Sequence, residues 1–306
     1  TDIVSLVFCY IRLLQREGPQ EWIYNETKTV ADCSFRFLSK RDAMDYTSSL
    51  ATNVHMYDAP EHILSGDYRF YEYQPDLITE CLSYMVPSNL LLSISHPTAF
   101  EDIATDKEEF YGVQYKATPI SDELIAQWTD DTAIPVELHL PEPNDMIATN
   151  FDIIKSSSSS SSIAVDETET TTKQEKPPVL LTNTPTCRLW YKADTQFAMP
   201  KLNVLVQLLT PVAYESPRSQ VLTQLWQKAL EDACNDFSYL ASMAGLHCQF
   251  ITTRAGIEIH LSGYNDKVDK LIERILHAMQ NMETSVTDQV MDRLRAKLAQ
   301  DLENFN

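Results

Sequence analysis

An unbroken serine run from Ser156 to Ser162 interrupts the chain near its middle. Asp166, Glu167, Glu169 and four threonines (Thr168, Thr170, Thr171, Thr172) follow before Pro177-Pro178. Such a segment carries too little apolar surface to offset the entropy of ordering it. No single core can be built continuously through it. Residues 155–178 therefore read as a flexible Ser-rich linker or loop insertion between two folded parts, and their hydroxyl density also suits phosphorylation. With 306 residues and 43% hydrophobic content, each flank has enough chain for a core of its own.

Charge narrows the partners. The 44 acidic and 24 basic residues leave a formal charge of −20, which repels a polyphosphate backbone and speaks against nucleic acid. No stretch approaches the ~18 apolar residues that span a bilayer, and no basic-then-apolar leader begins the chain, so neither membrane nor secretion is expected. Cys9, Cys33, Cys81, Cys187, Cys234 and Cys248 lie far apart without a Cys-x-x-Cys pair, which predicts buried thiols of a reducing, cytoplasmic compartment. Helical periodicity is already running at Ile3 and still running at Leu302, which suggests a piece of a larger chain.

The first flank reads as helices, with a first helix ended by Gly18 and a second entered through Pro19 toward Phe35-Arg36-Phe37. A third covers Asp42 to His55, and Pro75 opens another through Leu82. Asn89 to Ser95 has the apolar run of a buried strand, Phe110 to Tyr115 alternates like an edge strand, and Asp122 is placed to cap a short helix. In the second flank, strands are expected at Leu189-Trp190-Tyr191, Leu202 to Leu209, His247 to Thr252 and Gly256 to Ser262. A long helix from about Ser219 to Ala244 stops at Gly245, and two more close the chain, from about Lys267 to Met282 and from Thr287 onward. This order predicts an α+β fold, with antiparallel sheets covered by helices on one face.

Asp58-Ala59-Pro60-Glu61-His62 sits where His-x-x-Glu-His would make an inverted zinc-peptidase motif, but an aspartate replaces the first imidazole and Pro60 breaks the helical turn both ligands need. A turn leading into a short helix from His62 is the expected structure. Among His55, His62, His96, His139, His247, His260 and His277, only His247 adjoins a cysteine, and consecutive strand side chains at His247-Cys248 point to opposite faces. His260 reads as a polar-face strand residue and His277 as a solvated helix residue. No Gly-x-Ser-x-Gly elbow or Gly-x-Gly phosphate loop exists. The aromatics from Tyr68 to Tyr73 suit packing or a peptide groove, and Glu101, Asp102, Asp106, Glu108 and Glu109 suit a solvated loop. No catalytic, cofactor-binding or metal-ligating residue is assigned.

One set of segments carries a resemblance. Gly18-Pro19-Gln20-Glu21-Trp22, Phe35-Arg36-Phe37, Tyr46-Thr47-Ser48, Gln74-Pro75-Asp76-Leu77-Ile78, Phe110 to Tyr115, Leu140-Pro141-Glu142-Pro143-Asn144 with Thr149-Asn150-Phe151, Leu189-Trp190-Tyr191-Lys192 and Gly263-Tyr264-Asn265-Asp266 occur in an order that resembles the pitrilysin-type (M16) zinc metallopeptidases, the family of insulin-degrading enzyme and nardilysin. The resemblance implies four homologous α+β domains forming two halves around a peptide-degrading chamber. Residues 1–154 would be the later part of the second domain and 179–306 the earlier part of the third, both catalytically silent. The zinc motif would lie upstream of Thr1 and the substrate-clamping Arg and Tyr beyond Asn306. The stretch Leu222 to Asn235 would correspond to the zinc-bearing helix, yet it offers Trp226, Leu230 and Ala233 where ligands are needed.

The expected role is thus the non-catalytic middle of a zinc metalloendopeptidase, with zinc bound outside this chain. Its partners would be peptide substrates, the remaining domains of the parent chain and a possible homo-oligomeric copy. The alternatives are a non-catalytic peptide-binding or scaffold protein of inactive repeats, and a processing-peptidase-like assembly subunit.

Overall fold

The computed structural model describes residues 2–96, 98–99, 102–130, 134–153, 177–194, 197 and 199–304. The serine run, most of the expected linker and Glu101 of the acidic cluster lie outside the described residues. The chain forms two compact units. One takes in the residues up to Lys28 together with Arg69–Pro143; the other takes in Thr29–Tyr68 and the chain from Asn144 onward.

The first unit is built on α1 (Asp2–Glu17), the first turns of α2 (Glu21–Arg36), α5 (Pro75–Ser83) and α6 (Asp122–Thr129). Gly18, at φ +70°, ends α1 and donates its N–H to the Leu14 carbonyl at 2.9 Å. The buried face of α1 is Phe8, Cys9 and Leu13, whereas Ile3 and Val7 of the periodic stripe stay exposed. Phe8 stacks on buried Trp128 of α6 at 5.9 Å, and Arg12 donates to the Trp128 carbonyl. Tyr24 packs edge-on to Phe70 and against Tyr73, so part of the aromatic run is packing, while Phe70 and Tyr71 keep considerable exposure.

Three expectations need correction in this unit. Asn89 to Ser95 is neither strand nor buried: Leu91 is 95% exposed, and among the described residues no strand pairs with the segment. An apolar run becomes a strand only when a neighbour supplies its ladder. Of Phe110 to Tyr115 only Gln114–Tyr115 (β2) pairs, with Asp106–Lys107 (β1), because Glu108 accepts from the Phe110 and Tyr111 amides and turns the chain there. The cap of α6 is Ser121, not Asp122: its hydroxyl accepts from the Leu124 amide at 3.3 Å.

The second unit contains α3 (Ala43–Met56), α4 (His62–Ser65), the β3 (Val179–Asn183) and β4 (Arg188–Tyr191) hairpin, and an α+β layer that holds its main core. The Asp42 side chain caps α3 through the Met44 amide, and buried Asn53 ties α3 to the turn after it by donating to the Ile63 carbonyl and the Asp67 carboxylate. Strand β3 had no signal in the sequence, since Val-Leu-Leu lacks alternation; it is exposed along its length, with a bulge between Leu180 and Thr182.

In the layer, β5 (Lys201–Leu209), β7 (Gly256–Tyr264) and β6 (His247–Thr253) form an antiparallel sheet with β7 at its centre. Alternation decides its faces: Leu202, Val204, Val206 and Leu208 turn inward, and Leu205 and Leu209 outward. Helices α7 (Pro217–Met243) and α8 (Val268–Gln280) bring Leu230, Cys234, Ala241, Leu271 and Ile275 into the same core as Phe250, Ile259 and Leu261. Each such leucine or isoleucine is worth about 2 kcal/mol of burial. Short α9 (Met282–Ser285) leads to α10 (Asp288–Glu303), which packs on α7 through buried Leu294 and Leu298 and the pairs Lys228–Asp301 and Arg293–Asp232. The cysteines depart from expectation: Cys81 and Cys187 are exposed, and only Cys9 and Cys234 are fully buried.

Candidate functional site

Residues 144–153 form a strap across the second unit. Asn144 donates to the Leu240 carbonyl of α7, Asp145 pairs with Lys270 and Arg274 of α8, and the Met146 side chain is wholly buried in the core. At the far end the Asp266 carboxylate accepts from the Thr149 and Asn150 amides at 2.8 and 3.2 Å, and Asn265 donates to the Asp152 carbonyl. The Thr149 amide does most to hold the Asp266 carboxyl below the usual carboxylate range, with the Asn150 amide and Lys267 adding to it against the opposing effect of burial. For Asp145 burial acts upward, but the hydrogen bonds and charges of Lys270 and Arg274 outweigh it and lower the group.

The strap closes one side of a cleft of about 350 Å³ that lies within this unit. Cys33, Phe37 and Leu38, from the end of α2 and the residues after it, form a second wall. Met243 to Gly245, where α7 stops, form a third, and Lys201, His247 and Tyr264 at the ends of the three strands form the floor. Gly245 has φ +78°, the left-handed turn a side chain resists, and its missing Cβ leaves room for the Tyr264 ring, 3.1 Å from where that atom would be. Gly263, at φ +139°, lets the end of β7 lie directly against the Gly245 carbonyl and Leu246 backbone. Lys201 and Tyr264 are directly opposite in the antiparallel register, and the Lys201 ammonium sits 5.2 Å from the phenol ring centre.

An aromatic cluster braces the cleft. Phe37, Phe151 and Tyr264 meet pairwise at 5.3–5.6 Å, and the Arg36 guanidinium lies over both phenylalanine rings. Pairs of this kind add about 0.5–1.5 kcal/mol each beyond their buried area. Burial raises the Tyr264 phenol, and nearby Cys33 adds to that; Cys33 is itself raised, chiefly by burial and then by Asp32. Protonated hydroxyl and thiol groups line the cleft, which suits hydrogen bonding and contact more than nucleophilic attack.

The other singled-out residues do not converge on chemistry. In Asp58 to His62 the chain turns, with the His62 amide bonded to the Ala59 carbonyl, and helix begins only at His62, so Asp58 and His62 are not successive-turn ligands. His247 faces the cleft while Cys248 packs against the core, its thiol pushed up to about 12 by burial first and then by Cys234 and Glu231. His260 bonds Glu258 at 2.9 Å on the open sheet face, and His277 is exposed. Along α7, Leu230 is fully buried and Trp226 packs on the core, so these positions hold apolar contacts and offer zinc no lone pair. Among the described residues no group of three His, Cys, Asp or Glu is placed to hold a metal, and the residues present do not fit a zinc ion. None of the described helices is long and apolar enough to cross a membrane.

Three of the segments that carry the resemblance, Phe35-Arg36-Phe37, Thr149-Asn150-Phe151 and Gly263 to Asp266, meet around this cleft. Lys201 and Cys33 lie outside those segments, and the stop of α7, though marked by Gly245, had no visible link to them; only the folded arrangement brings them together.

This α+β fold is that of pitrilysin: the pitrilysin crystal structure superposes with a TM-score of 0.70 at 24% identity, covering 98% of this chain and 30% of that one. The profile of the middle or third domain of peptidase_M16 matches residues 35–306, and the chain belongs to the M16 peptidase family. It is 32% identical over 304 residues to the insulin-degrading enzyme of Homo sapiens, with 99% of this chain covering 28% of that protein. It is 31% identical to the peroxisomal insulin-degrading enzyme-like 1 of Arabidopsis thaliana, over 92% of this chain and 27% of that protein, and 28% identical to nardilysin of Homo sapiens, over 90% and 22%. The chain thus spans less than a third of each of these relatives.

Proposed function

We propose that the chain is the non-catalytic middle portion of an insulin-degrading-enzyme-like zinc metalloendopeptidase. Its role is to supply chamber wall, contacts to peptide substrate and the junction between the enzyme's halves, while zinc is held by residues outside this chain. Residues 1–154 would then be the later part of a second domain, 179–306 the earlier part of a third, and 155–178 an insertion between them. The remaining domains of the parent are its obligate partners, a second copy of the assembly is a further one, and the cytoplasm is its compartment.

The observation that carries this reading is the family match over residues 35–306, which falls on the middle or third domain. The packing of α7 supports it, because Leu230 and Trp226 serve the core where a zinc-bearing helix would present ligands. The cleft supports it too, being a concave, partly apolar surface with a few polar groups, suited to peptide side chains. The test is turnover of an internally quenched fluorescent peptide by the purified chain, with zinc and with a chelator, beside binding of the same peptide by anisotropy. Binding without turnover is expected; zinc-dependent, chelator-sensitive cleavage would refute the assignment.

A further inference from the structure

No acidic residue among the described residues lines the cleft, and the two basic side chains that line it, Lys201 and His247, stand at the ends of strands that flank β7. Among the described residues Lys201 forms no ion pair with a carboxylate, and its ammonium lies over the face of the Tyr264 ring. Cross-strand pairing fixes both groups. Lys201 opposes Tyr264, and His247 opposes Ser262 two residues away on the same strand, so both project from the same end of the sheet. The Tyr264 phenol and the Ser242 hydroxyl line the same space, and Phe37 and Met243 supply its apolar side. A floor of hydrogen-bonding groups with one ammonium under apolar walls selects a carboxylate attached to an apolar group, and the local ammonium acts against the general repulsion from a molecule of net charge −20.

We infer that this cleft is a subsite for a carboxylate-bearing segment of peptide, with the Lys201 ammonium as its counter-charge. The inference rests on the proposed role in contacting peptide and names the chemistry of that contact. The carboxylate has two sources, an acidic side chain or the peptide's C-terminus, and both present the same pair of oxygens.

The experiment is fluorescence anisotropy of the 306-residue chain with three labelled hexapeptides of one apolar framework. One has an internal glutamate and an amidated C-terminus, one has glutamine with a free C-terminus, and one has glutamine with an amidated C-terminus. At least one carboxylate peptide should bind about fivefold more tightly than the neutral one, the upper range for an ion pair in a solvent-accessible cleft. Which of the two does so identifies the source. Lys201→Gln should abolish the preference, Lys201→Arg should retain it, and Lys297→Gln on α10, which makes the same charge change away from the cleft, should leave it intact. Equal binding of all three peptides, or a preference that survives Lys201→Gln, overturns the subsite and leaves the peptide-contact role standing. Failure of every peptide to bind overturns both.

Discussion

At the scale of single residues, Asp266 has the most demanding position, because one carboxylate anchors the far end of the strap. Its folded pKa lies below the ordinary value, so the carboxylate contributes stability that is fully present above the unfolded-state pKa of about 3.9 and lost as pH falls through the folded value. Asp145 and Glu258 are lowered too and act in the same direction. Urea midpoints measured from about pH 6 down to pH 3 should therefore fall for the wild type, and fall less steeply for Asp266→Asn. At neutral pH the variant should lose about 1.5–3 kcal/mol, the usual worth of hydrogen bonds to a charged group. Parallel pH profiles would assign the strap's stability elsewhere. Residue type alone hid this role: Asp266 was visible as part of a family segment, but its partners at Thr149 and Asn150 come from across the unit.

At the scale of elements, helix limits follow closely from punctuation in the chain. Gly18 and Gly245 stop α1 and α7, Asp42 and Thr287 cap α3 and α10, and Pro75 opens α5. These are local effects, complete within four residues, and so they are legible in one dimension. The error at α6 shows the limit of such reading, since Ser121 and Asp122 both suit an N-cap and only the backbone conformation decides. Ser121→Ala should lower stability by about 1 kcal/mol and Asp122→Ala by clearly less, measured as shifts in the urea midpoint; the reverse order would restore Asp122 as the cap. Strands behave differently. The sheet β5–β7–β6 was readable because inward and outward residues alternate, whereas Asn89 to Ser95 misled because an apolar run does not state whether a partner strand exists.

For the molecule as a whole, a charge of −20 is the dominant electrostatic fact. Its self-repulsion opposes compaction, and the exposed pairs such as Arg293–Asp232 are each worth less than about 1 kcal/mol. Raising salt from about 0.01 M to 1 M, which shortens the screening length from about 30 to 3 Å, should therefore raise the thermal midpoint; a fall would mean that the ion pairs outweigh the net charge. The α+β class, the helix order and the membership of the M16 family were all legible in the residues, because periodicity, caps and family segments are written along the chain. The cleft was not. Its walls come from Cys33, Ala148, Lys201, Gly245 and Tyr264, which share no spacing, and antiparallel register, the stop of α7 and the strap's ion pairs bring them together. Local order was settled by interactions a few residues long, whereas the site depends on contacts between residues tens to more than a hundred positions apart, and only tertiary packing selects which of those contacts form.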